Sequence, residues 1–219
     1  MTTRDESFLE EILAARAEQF PRGDAILSPL RSPLTNAGLH RQCDEVRNTL
    51  RSLGVGPNDR VAVALPQGPD LAVAVLAVAS AAVCAPLDPS HRTVEYEGHL
   101  AQLRPRALIV PPAEDSPARP GARALGIPLL ELFPAAPGHG DFTLRANGAG
   151  PRSQDVHPSH DTAALLLPTS GTTARSRWVP LSHRNLRASA TSIAATLALG
   201  AGDRCLDVMP LHHIHGSWC

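Results

Sequence analysis

Apolar and polar positions along the chain change period several times, and each change predicts an element. Phe8, Ile12, Leu13, Ala17 and Phe20 recur at helical spacing, so an amphipathic helix opens the chain. A proline-interrupted stretch around Pro29 and Pro33 follows. Leu39, Cys43, Val46, Leu50 and Leu53 then form a second helical stripe, with Thr35 or Asn36 placed to cap its start and Gly54 to end it. After the turn Gly56 to Asp59, the continuous run Val61 to Leu65 predicts a strand covered on both faces. Pro69 to Val83 is apolar on nearly every side and predicts a buried helix. Cys84 to Leu87 predicts a strand, Thr93 to Leu103 a helix, and Ala107 to Val110 another buried strand.

Between Pro111 and Pro158 the composition shifts to Pro, Gly and Ala. Only Ile127 to Leu132 stands out there as a strand, and the remainder reads as loop, unusually long for a compact domain. Beyond it, Ala163 to Leu167 and Trp178 to Leu181 predict strands. Ser182 caps a helix from His183 to about Leu199, which Gly200 and Gly202 break. Cys205 to Met209 is a last strand-like run. There is no internal repeat. The order strand, helix, strand, helix, strand predicts an α/β fold with helices layered on a mostly parallel sheet.

Composition adds limits. The 219 residues suffice for a substantial core, and an apolar fraction of 43% is that of a globular chain. A net charge of −1 argues against a sequence-independent nucleic-acid binder. The four cysteines, Cys43, Cys84, Cys205 and Cys219, form no C-x-x-C pair and read as thiols of a reducing compartment. The acidic start is no secretory leader, and the Ala-rich run Leu71 to Leu87, interrupted by Ser80 and Pro86, falls short of the ~20 residues of a membrane span. A cytoplasmic protein is expected. Every basic residue is arginine.

The segment Leu167 to Leu186 carries the chemistry. Thr169, Ser170, Thr172 and Thr173 place hydroxyls around Gly171 in a turn between two strands, and Arg175 and Arg177 add positive charge. Small residues let backbone amides approach an anion, and arginine grips phosphate through two parallel bonds. Such a turn suits the β- and γ-phosphates of a nucleotide, though on composition alone it serves equally as a polar loop with solvated arginines. It is not a Walker loop, which needs two glycines and a lysine. Nor is it a serine-hydrolase elbow, since Pro168 stands two residues before Ser170.

TSGTT, then a basic stretch, V-P-L and S-H-R-N-L, resembles the phosphate-binding loop of AMP-forming adenylating enzymes: acyl-CoA synthetases, luciferases and peptide-synthetase adenylation domains. Met209 to Gly216, MPLHHIHG, resembles their next motif, and the stretch from Gly54 to Arg92 resembles their opening region. The likeness runs from about Leu34 to Gly216, and its wording leans towards acyl-CoA synthetases. It implies part of the large N-terminal domain of an acyl-adenylate-forming enzyme. It also implies ATP with Mg²⁺, a carboxylic acid substrate, and coenzyme A or a carrier-protein phosphopantetheine as acyl acceptor. Thr169, Ser170, Gly171, Thr172 and Thr173 would hold the phosphates, Arg177 stands at the family's usual lysine, and His213 matches the histidine near the acyl carboxylate.

The chain departs from the family at Ala174, Ser176 and Arg177, where the common pattern has Gly, Pro and Lys. His212 replaces an aromatic residue. His212, His213 and His215 suggest a metal, but no fourth ligand accompanies them and H-x-H is the family's own spacing, so no metal centre is assigned. Family members are much longer. Residues 1–219 are therefore expected to be an incomplete AMP-binding domain without the small C-terminal domain. Such a chain would be inactive alone, half of a split enzyme, or an interaction module, with exposed edges prone to self-association.

Overall fold

The structure, a computed structural model, describes residues 9–29, 31–112, 115–135, 141–146, 161–169 and 177–213. Helix α1 (Leu9–Gln19) leads into a small antiparallel pair, β1 (Asp24–Ile26) with β2 (Leu34–Thr35). Helix α2 (Asn36–Ser52) starts where Thr35 Oγ1 accepts the Gly38 amide at 3.1 Å, so Thr35 is the cap. It ends just before Gly54, whose φ of 74° is left-handed.

Then come β3 (Arg60–Val63), α3 (Pro69–Ala79), β4 (Val83–Pro86), α4 (Thr93–Leu103), β5 (Ala107–Val110), α5 (Ala118–Ala124), β6 (Leu129–Pro134) and β7 (Phe142–Ala146). Strands β8 (Ala163–Pro168) and β9 (Trp178–Ser182) and helix α6 (His183–Thr196) complete the order. The main sheet has seven strands in the order β7-β6-β5-β3-β4-β8-β9. Strands β6, β5, β3, β4 and β8 run parallel, while β7 and β9 close the two edges antiparallel.

Side chains alternate across this sheet and so sort into two cores. Val61, Val63, Cys84 and Ile109 pack with the apolar faces of α2 and α3. Ala62, Ala85, Leu108 and Val110 pack with Tyr96, Leu100 and Leu103 of α4 and with Ala118 and Ala122 of α5. Because β3, β4 and β5 are covered on both faces, Val61–Val63, Val83–Pro86 and Ala107–Val110 read as unbroken apolar runs. No described helix is long and apolar enough to cross a membrane.

The short strands β1 and β2 lie in a stretch read only as proline-interrupted, and three further elements escape the sequence pattern or contradict it. Helix α5 contains Pro120 and Gly121, both helix breakers by propensity. It forms because Gly121 lies against α4, where an added Cβ would come within 2.9 Å of Glu97 Cγ. Arg119, only 2% exposed, anchors it by donating to the Pro111 carbonyl at 2.8 Å and to Glu131 Oε1 at 2.7 Å. Strand β7 is held from outside the sheet. The Gln42 amide of α2 donates to the Phe142 carbonyl at 2.8 Å, and its oxygen accepts the Phe142 N–H at 3.2 Å. The expected strand at Cys205 to Met209 does not form. Asp207 Oδ1 takes the Met209 amide at 2.9 Å, a local bond that competes with a ladder, and Leu206 and Val208 stand 84% and 77% exposed.

This packing sets unequal costs. Leu108→Ala empties a fully buried site and is expected to lower stability by about 2–5 kcal/mol. Val94→Ala, on an exposed face, is expected to stay within about 0.5 kcal/mol. Urea unfolding of the two variants checks the difference.

Candidate active site

Parallel strands deliver their following residues to one edge, the usual place for ligands in such sheets. Gln67 follows β3, Asp88 follows β4 and Thr169 follows β8. The segment 210–213 lies across the first two. The Leu211 amide donates to Gln67 Oε1 at 3.2 Å, and Gln67 Nε2 lies 3.0 Å from His212 Nδ1. His212 Nε2 lies 3.3 Å from Asp88 Oδ2.

These contacts select a tautomer. Because Gln67 Oε1 is taken by the Leu211 amide, Nε2 is the group facing the imidazole and must donate. His212 Nδ1 therefore accepts, the ring proton sits on Nε2, and that proton points to the Asp88 carboxylate. Asp88 is itself fixed: its Oδ1 accepts the Ser90 amide at 2.8 Å and the Ser90 hydroxyl at 2.7 Å, and its carbonyl accepts Tyr96 Oη–H at 2.8 Å.

Charge follows from this geometry. Burial pushes the His212 pKa below the ordinary imidazole value, Asp88 opposes it, and His213 and His91 add to the lowering. For Asp88, burial pushes upward, but the Ser90 bonds and the nearby His212 and His91 outweigh it and hold the carboxyl below its ordinary range.

Of the residues predicted to hold phosphate, Thr169 and Arg177 are described and Ser170, Gly171, Thr172 and Thr173 lie outside the described residues. The strands that flank the turn are antiparallel neighbours, with Pro168 opposite Trp178. The Thr169 amide donates to the Arg177 carbonyl at 2.8 Å and closes the base of the turn. Thr169 and Arg177 are exposed, so both remain open to an anion. Trp178 ties this base to α4 by donating from Nε1 to Gln102 Oε1 at 2.9 Å, and its ring meets His99 edge-on at 5.5 Å. The predicted cap of α6 is present: Ser182 Oγ accepts the Asn185 amide at 3.2 Å.

His213 is exposed beside His212, with ring centroids 4.5 Å apart and planes tilted by 53°. The sequence singled out His213 but missed Gln67 and Asp88. Their one legible signal is position, each standing just past the end of a buried apolar run. His215 lies outside the described residues. Among the described residues no three His, Cys, Asp or Glu side chains gather as metal ligands. The Mg²⁺ implied by the resemblance thus finds no ligand set there, and no step is assigned through it.

The lowered His212 pKa has a defined sign. Between the folded and unfolded pKa values the unfolded chain binds more protons, so acidification favours unfolding. Stability is expected to fall as pH drops from about 7.5 through the unfolded imidazole value of about 6.5. His212→Phe is expected to make that dependence shallower, while His99, whose pKa is also lowered by burial, keeps part of it. Denaturant midpoints across pH measure both slopes, and an unchanged slope in the variant would count against the assignment.

The family model described as AMP-binding enzyme matches residues 13–219. An oxalate–CoA ligase of Arabidopsis thaliana is 30% identical over 217 residues, taking in 97% of this chain and 42% of that protein. A salicyl-AMP ligase/salicyl-S-ArCP synthetase of Mycobacterium tuberculosis is 31% identical over 219 residues, taking in 94% of this chain and 38% of that protein. The crystal structure of apo MatB from Rhodopseudomonas palustris matches with a TM-score of 0.78 at 23% identity, over 97% of this chain and 42% of that one, a likeness of fold. The chain thus spans between 38% and 42% of the length of these relatives. A match that takes in nearly all of the described sheet and both motif segments leaves one conclusion: the chain belongs to the AMP-binding enzyme family.

Proposed function

We propose that this chain supplies the phosphate-holding part of an ATP-dependent acid–thiol ligase. The observation that carries the reading is the turn between β8 and β9. The Thr169–Arg177 bond joins the ends of those strands on either side of the hydroxyl-rich segment, and Thr169 and Arg177 are both exposed. In this reading Ser170, Gly171, Thr172 and Thr173 offer their amides, and the threonines and Ser170 their hydroxyls, to the β- and γ-phosphates, while Thr169, whose amide is paired with Arg177, offers its hydroxyl alone. Arg177 adds a fixed positive charge.

The reaction has two steps. A carboxylate oxygen of the acid bonds to the α-phosphorus of ATP as the bond to the pyrophosphate oxygen breaks. A thiol, of coenzyme A or a carrier-protein phosphopantetheine, then bonds through sulfur to the acyl carbon, loses its proton and releases AMP. The first step needs mainly positioning and charge stabilisation. His213 would sit beside the acyl carboxylate and the path of the thiol. The relatives' names support this class: one is an oxalate–CoA ligase and another a salicyl-AMP ligase. A cytoplasmic setting suits the free thiols of Cys43, Cys84 and Cys205.

Hydrogen bonds to charged phosphate are worth about 1.5–3 kcal/mol each, and 1.4 kcal/mol is a factor of ten. Replacing both Thr172 and Thr173 by alanine is therefore expected to weaken ATP binding at least about tenfold while leaving AMP binding unchanged. Calorimetric titration of the chain with each nucleotide tests this. ATP bound no more tightly than AMP, or equal losses for both, would remove the phosphate role. The chain by itself is expected to give no ATP–pyrophosphate exchange with any carboxylate, and exchange above background would show that it does more than hold phosphate.

A further inference from the structure

The imidazole of His212 is not used as a mere ring. It is bracketed by two side chains from neighbouring parallel strands, Gln67 after β3 and Asp88 after β4, at 3.0 and 3.3 Å. The His212 side chain is 8% exposed, so water does not substitute for either partner. The same glutamine also holds the backbone of the preceding residue, Leu211. One face of the ring meets His213.

We propose that His212 is a positioning residue: Gln67 and Asp88 fix its neutral imidazole, and that fixed ring orients His213 at the strand edge. The inference rests on the reading of His213 as the histidine beside the acyl group. A free aromatic ring in this place has only packing to set its angle. A bracketed imidazole has its plane set by two hydrogen bonds and its charge set at zero, so His213 faces a fixed neutral surface. The charged and titratable groups acting on His212 are Asp88, His213 and His91. His91 belongs to the stretch after β4, where it stacks on His99 of α4 at 4.8 Å. Asp88 alone among them favours a positive His212, and its carboxylate is already engaged by Ser90.

The bracket makes a prediction that simple packing does not. Gln67→Glu keeps an oxygen for the Leu211 amide but replaces the donor facing His212 Nδ1 by an acceptor. The imidazole then lies between two carboxylates, and its proton affinity is expected to rise at least about tenfold, one pKa unit. Long-range ¹⁵N–¹H spectra of the labelled chain across pH read tautomer and protonation of both rings directly. Wild type is expected to show His212 neutral at pH 7 with its proton on Nε2. Gln67→Glu is expected to move the titration of His212. His212→Ala is expected to shift the His213 ring resonances by removing the facing ring. Asp88→Asn is a second variant should Gln67→Glu not fold, and it lowers the His212 proton affinity instead. The proposal is overturned by a cationic or Nδ1-protonated His212 at pH 7, by a His212 titration unmoved in Gln67→Glu, or by His213 resonances indifferent to His212→Ala. None of these spectra involves nucleotide. Failure to bind ATP would therefore sink the ligase reading and leave the bracket standing, whereas these outcomes sink the bracket alone.

Discussion

Burial of β3, β4 and β5 on both faces is the constraint from which the rest of the molecule follows. Val61 and Val63 look one way and Ala62 the other, so a shift of one residue in β3 would exchange the two cores. That register fixes where the strand stops and which side chain comes next. Gln67 and Asp88 reach the same imidazole because β3 and β4 pair in register, Arg60 with Val83 through Val63 with Pro86. The chemistry at the sheet edge is thus placed by apolar side chains that never touch it.

Much of this was legible in the sequence, for identifiable reasons. Strands β3, β5 and β8 and helices α2 and α4 declare themselves because their burial produces clean apolar runs or stripes. The cap at Thr35 and the stop at Gly54 are local chemistry and need no tertiary context. Helix α5 was hidden because its stability comes from elsewhere, from the close contact of Gly121 with Glu97 and the anchoring of Arg119. Strand β7 was hidden for the same reason, since its outer partner is a glutamine side chain distant in sequence. The run from Cys205 to Met209 misled in the opposite direction. Its apolar residues resemble a strand, but the adjacent Asp207 satisfies the Met209 amide locally.

The site divides along the same line. The segment proposed to hold phosphate and His213 stand out in the sequence because their residue types and spacing resemble a family motif. The bracket around His212 does not, because Gln67 and Asp88 gain meaning only when two strands bring their ends together. Arg177 illustrates a third case. Its position is read from the sequence, yet what the structure adds is that its own carbonyl, paired with the Thr169 amide, helps shut the base of the turn.

The glutamine at position 42 has a consequence for the lifetime of the folded chain. One side-chain amide meets both the donor and the acceptor of Phe142, as a neighbouring strand would. Hydrolysis of that amide to a carboxylate would remove the donor while keeping the acceptor. The Phe142 carbonyl, in a buried setting, would then have lost its partner beside a new negative charge. Chemical ageing at this single nitrogen would loosen the sheet margin from within, at the strand that carries Phe142 into the core.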